Sequence, residues 1–119
     1  MTIKVVEESC EIKGTQISVS IIYLENAVII LVTDRGNQYR IGTMALATPI
    51  GRMTGENAPA AFTLLGTGGE LLAKVLAGRT SANTGKASLC IVGLRDDEHE
   101  TISSILKTVE KILQRTKSE

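Results

Sequence analysis

The chain has 119 residues and a mass of 12.7 kDa, room for one core and not for two. Hydrophobic residues make up 43% and charged residues 22%, and 13 Lys plus Arg balance 13 Asp plus Glu. Zero net charge is a poor match to a dedicated nucleic-acid binder, whose affinity rests on phosphate contacts, and it leaves little repulsion to oppose self-association.

The longest apolar run, residues 27–32, is far short of the ~20 residues of a membrane helix. The start, Met1-Thr2-Ile3-Lys4-Val5-Val6-Glu7-Glu8, lacks the basic stretch and apolar block of a signal peptide. A cytoplasmic protein with no membrane partner is therefore expected. Cys10 and Cys90 are too few for a disulfide framework and form no CxxC motif, so they are expected as free thiols packed in strands. Aromatic residues are scarce, Tyr23, Tyr39 and Phe62 with no Trp, which removes the stacking platforms of a single-strand binder.

The first half alternates with a period near two. Val6, Cys10 and Ile12 share one side of a first strand, and Gly14-Thr15 marks a turn. Ile17, Val19, Ile21 and Tyr23 line one face of a second strand, with Ser18 and Ser20 on the other. Glu25-Asn26 is a turn candidate, and residues 27–33 are apolar on both faces, the pattern of a central strand covered on both sides. After the polar segment Asp34-Arg35-Gly36-Asn37-Gln38, residues 39–47 form a fourth strand, completing an antiparallel meander. Residues 48–59 hold both prolines, Pro49 and Pro59, and two glycines, and read as one exposed loop.

Residues 61–66 make a short fifth strand. Thr67 and Glu70 fit a capping box, with Thr67 as N-cap. Leu71, Leu72, Val75 and Leu76 form the stripe of a helix ending near Gly78, and residues 80–87 read as a polar loop. Residues 88–94 are the sixth strand. In the last helix Ile102, Ile105, Leu106, Val109, Ile112 and Leu113 recur at steps of three and four. The resulting expectation is one α+β domain over residues 1–119, with a six-stranded, mainly antiparallel sheet in the order ββββ-loop-βαβα and two main helices.

Candidate chemistry is thin. Gly66-Thr67-Gly68-Gly69-Glu70 lies where a phosphate loop would sit, but Leu71 stands where GxGxxG needs glycine, and no Gly-Lys-Ser/Thr follows. Asp96-Asp97-Glu98-His99-Glu100 places acid at a helix start, where the dipole favours it; consecutive helical residues converge poorly on one ion. Cys90 lies inside an apolar strand, and His99 is the only histidine. No catalytic, cofactor-binding or metal-binding residue is assigned, and no enzyme activity is expected. Arg35, Tyr39 and Arg40 around one hairpin loop, with Arg52 and Met53 in the Pro/Gly loop, have the chemistry of protein interfaces. They are the candidate partner-binding residues.

Phe62-Thr63-Leu64-Leu65-Gly66 at a strand end is followed by the helical Leu72-Ala73-Lys74-Val75-Leu76-Ala77-Gly78-Arg79-Thr80, then the strand at 89–94 and the long last helix. This succession resembles the proteasome assembly chaperones 3 and 4. The stretch Ile29-Ile30-Leu31-Val32-Thr33-Asp34-Arg35-Gly36, with Ile41-Gly42-Thr43 after it, is similar to chaperone 3. The resemblance spans roughly residues 15–115 and implies a six-stranded sheet, two main helices, and a dimer that contacts α-subunits of the 20S proteasome during ring assembly. The family pairs as a heterodimer in eukaryotes; features of both halves in one chain imply a homodimer. It brings no catalytic signature. A ligand-sensing domain of the profilin or roadblock type has similar size and layering, but roadblock domains open with a helix and this chain opens with strand-like alternation.

Overall fold

A computed structural model describes residues 3–34, 39, 41–49, 60–65, 69–94 and 99–118. Strands β1 (Lys4–Ile12) and β2 (Thr15–Tyr23) pair antiparallel with Ile12 opposite Thr15. Between them Lys13 and Gly14 have φ values of 53° and 80°. Two consecutive left-handed residues make the turn whose twist matches that of its flanking strands. β3 (Ala27–Thr33) joins β2 antiparallel, and its turn is closed by Leu24 N–H donating to the Ala27 carbonyl at 2.9 Å.

The meander ends there. Beyond β4 (Thr43–Thr48), β5 (Ala60–Leu65), α1 (Glu70–Thr84), β6 (Ala87–Val92) and α2 (His99–Ser118) complete the chain. The sheet order is β1-β2-β3-β6-β4-β5. β6 inserts between β3 and β4, parallel to β3 and antiparallel to β4. The expected α+β class, six-stranded sheet and element order are observed. The expected β3–β4 pairing is not: the apolar strands β3 and β6 pair at the centre of the sheet, and β4 pairs with β6 instead. β4 also starts at Thr43 rather than at Tyr39.

Two expectations for α1 are corrected. Its N-cap is Gly69, in the left-handed region at φ 75° with no side-chain cap bond, and Glu70 is its first residue. The capping box would have placed Glu70 at the third helical position; Thr67 itself lies outside the described residues. The helix also runs through Gly78 to Thr84, capped by Gly85 at φ 71°, whose N–H donates to the Ser81 carbonyl. Residues 80 and 81 are polar but buried, and they continue the inward face of Leu72, Ala73, Leu76 and Ala77. The turn signal at Asn83-Thr84-Gly85-Lys86 marks the true end.

Both helices lie on one face of the sheet. α1 packs over β4, β6 and β5, and α2 over β1 and β2. Three sheet residues report the face directly: Ser88 donates to the Ala77 carbonyl, the Tyr23 and Thr116 hydroxyls meet at 2.8 Å, and Arg115 pairs with Glu8. Between the layers Ile21, Ile30, Leu72, Leu76, Ile105 and Ile112 are fully buried, each contributing about 1.5–3 kcal/mol relative to exposure. The expected stripe of α2 is buried except for Leu106, which is partly so. No helix among the described residues is long and apolar enough to cross a membrane.

Candidate protein-binding face

Strand alternation sends every second side chain to the face opposite the helices. In β3, Val28, Ile30 and Val32 are sealed under the helices, while Ile29 and Leu31 on the other side stay partly exposed. The sequence predicts cover on both sides of this strand; among the described residues no helix supplies the second. β3 is interior to the sheet, and the described helices cover one of its two faces.

The register aligns the open face into rows. Val5, Ile22, Ile29, Leu89 and Leu46 run across β1, β2, β3, β6 and β4 as direct neighbours. In the next row Leu31, Ile91 and Met44 continue the apolar surface, but the β1 and β2 positions are Glu7 and Ser20. The row beyond is Ser9, Ser18 and Thr33. The face is therefore apolar over β3, β6 and β4 and turns polar at one corner over β1 and β2. Leu64 on β5 adds an exposed apolar side chain at the far edge of the sheet.

Tyr39 lies at that polar corner. Ser20 donates to the Glu7 carboxylate at 2.9 Å, and the Tyr39 hydroxyl stands 2.8 Å from Ser20 Oγ and 3.5 Å from Glu7. Ser20 has one proton, given to Glu7, so Tyr39 donates to Ser20. The chain Tyr39→Ser20→Glu7 holds the carboxylate against the sheet and buries Ser20 to 3% exposure. Burial pushes the Tyr39 hydroxyl above its ordinary value of 10.0, and the Glu7 charge adds to the rise.

Of the candidate partner-binding residues, Tyr39 is thus on the open face, while Arg35, Arg40, Arg52 and Met53 lie outside the described residues. Glu7 and Ser20, which complete the corner, were not among the candidates, because nothing local marks residues 32 and 19 positions away as neighbours of Tyr39. A signal for the open face was present in the two-sided apolarity of β3 and β6.

Elsewhere the surface offers little convergent chemistry. A groove of about 460 Å³ between α1 and α2 is lined by Arg79, Asn83, Glu110 and Gln114, and the Arg79–Glu110 ion pair spans it at 3.0 Å. Among the described residues no three His, Cys, Asp or Glu side chains are grouped to hold a metal. Asp96, Asp97 and Glu98 lie outside the described residues, as do Gly66, Thr67 and Gly68 of the glycine-rich segment. Cys10 and Cys90 are free thiols, in β1 and in the interior strand β6.

Among the described residues, fold and surface define a small two-layer α+β domain with two helices on one sheet face and an apolar face opposite that none of them covers. The same fold occurs in a chain of the structure described as "Crystal Structure of a Novel Chaperone Complex for Yeast 20S Proteasome Assembly", with a TM-score of 0.65 and 14% identity. The match covers 99% of this chain and 98% of that one. At that identity the likeness is one of fold. No family model and no curated protein matches the sequence.

Proposed function

We propose that this chain is a non-enzymatic, cytoplasmic assembly chaperone that binds 20S proteasome α-subunits as a homodimer. The observation that carries the reading is the end-to-end fold match to a chain of a proteasome assembly chaperone complex. The sequence resemblance at residues 62–66, 72–80 and 29–36 points the same way, from short motifs.

The open sheet face supports the dimer. Aligned packing of two sheets face to face is a common way to bury such a surface. The strands β3, β6 and β4, at ~4.8 Å spacing with two rows ~7 Å apart, present roughly 200 Å² of flat apolar sheet before side-chain relief, the adjoining Val5 and Ile22 and the rim are added. A stable interface takes about 800 Å² of accessible surface from each partner. Zero net charge lets two copies approach without repulsion. Arg35, Tyr39, Arg40, Arg52 and Met53 are the proposed α-subunit contacts, a modest and partly polar set suited to a partner that must be released.

Size-exclusion chromatography with light scattering, alone and with cognate α-subunits, tests both parts. A dimer that co-elutes with α-subunits is expected. Ile91→Glu should give a folded monomer, and charge reversal at Arg35 and Arg52 together should abolish co-elution while leaving the dimer intact. A dimer indifferent to α-subunits would overturn the chaperone assignment.

A further inference from the structure

An apolar sheet face can slide. Rows of Ile and Leu repeat at the pleat spacing, so two such faces pack almost equally well at more than one offset. Single polar groups within apolar interfaces are the usual device that removes this degeneracy. The corner over β1 and β2 has the required form. Glu7 occupies a position in the same row as Leu31, Ile91 and Met44. Its carboxylate is held on the sheet surface by Ser20 and Tyr39 rather than left free to swing into solvent.

We infer that the Glu7–Ser20–Tyr39 cluster fixes the register at which a second copy of this chain seats on the open face. The inference rests on the homodimer reading above. An ionised carboxylate pressed onto the partner's Ile or Leu rows loses its water without gaining a counter-charge, which costs several kcal/mol. In a two-fold face-to-face pair the cluster occurs twice, so both copies must lie at the rim at once. The offsets that satisfy this centre the contact on β3, β6 and β4 and leave both β1–β2 corners wet. On β1 itself Ser9, next to Glu7 on the same face, is also exposed.

The hydrogen bonds give the cluster its effect. A flexible glutamate at a rim moves aside at little cost, as exposed charges do. Here Ser20 is buried beneath the pair, and its hydroxyl is committed to both neighbours. Displacing Glu7 takes the charged acceptor from that buried hydroxyl and leaves it only the Tyr39 oxygen, so the carboxylate is held to the face.

The test is a spin-label distance measurement between the two copies. Labels go on Lys74→Cys, an exposed position on α1 on the helix side, in a Cys10→Ser background. The otherwise unchanged chain should give one narrow inter-copy distance. Glu7→Leu with Ser20→Val should remain dimeric by light scattering but give at least two distance populations or a shifted one. Glu7→Leu alone repeats the test with only an exposed side chain changed, so failure of the double variant to fold leaves the question decidable. A dimeric variant with the unchanged single distance overturns the register role while the dimer stands. A monomeric parent chain overturns the dimer itself and the inference with it.

Discussion

A Cβ built on Gly69 would stand 2.6 Å from the carbonyl oxygen of Leu94. The N-terminus of α1 and the chain just past β6 approach so closely that only a hydrogen fits between them, and the φ of 75° at Gly69 favours glycine independently. This contact joins the second half of the chain to the centre of the sheet.

Gly69→Ala is accordingly expected to destabilise the fold by about 2–4 kcal/mol, combining left-handed strain with backbone overlap. Gly78→Ala is the counter-experiment: Gly78 is helical, and its added Cβ meets nothing within 4 Å. That change should stabilise by about 0.5–1 kcal/mol. Urea denaturation of the two variants should move the midpoint in opposite directions.

Glu8 and Arg115 tie β1 to α2 across 107 residues of chain. The hydrogen bond from Arg115 holds the Glu8 carboxyl below its ordinary value of 4.5; some desolvation opposes it, and the charges of Arg115 and Lys111 assist. A folded-state value below the unfolded one gives stability that is full above the unfolded pKa and is lost as pH falls through the folded value. Arg115 is 52% exposed, so solvent screening limits the pair to about 0.2–1 kcal/mol. A double-mutant cycle with Glu8→Gln and Arg115→Gln should give that coupling at pH 7. The coupling should disappear in acid, below the depressed value.

The local elements are readable where local chemistry decides them. Gly14 announces the β1–β2 turn, and the three-and-four spacing from Ile102 to Leu113 announces α2. The sheet order is not readable in this way, because the pairing of Ile29 with Leu89 is set by competition among distant apolar strands. The length of α1 is hidden because Thr80 and Ser81 look like loop residues yet face the core. Its N-cap is set by Leu94, 25 positions away in sequence, and by no capping pattern. Of the candidate site, the sequence marks Tyr39 only as a loop aromatic, and its hydrogen-bond partners Glu7 and Ser20 become neighbours only once β1 and β2 have paired.

Ser81 carries a buried Oγ with no hydrogen-bond partner among the described residues. Removing a buried polar atom that lacks a partner recovers its desolvation cost, and alanine is the better helix former. Ser81→Ala should therefore be neutral or stabilising by up to about 1 kcal/mol. Leu76→Ala, one turn earlier on the same buried face, should cost about 2–5 kcal/mol. Thermal unfolding of both variants separates a vacant polar position from a filled apolar one.

Thiol chemistry reports how firmly the central strand is held. Cys90 is fully buried in β6, between β3 and β4, and burial pushes its thiol far above the usual range. The thiolate is the nucleophile, so raising the pH within the native range does not activate it. Cys10, on the edge strand β1, is partly exposed. Iodoacetamide at pH 8 should therefore add one label to the native protein, at Cys10, and a second only in denaturant. Mass spectrometry of the peptides distinguishes the two sites. Slow native labelling of Cys90 should follow the free energy of opening, and so should speed up in Gly69→Ala and slow in Gly78→Ala. Equal rates at both cysteines in the native protein would mean that β6 opens locally, and would contradict its place as a fixed interior strand.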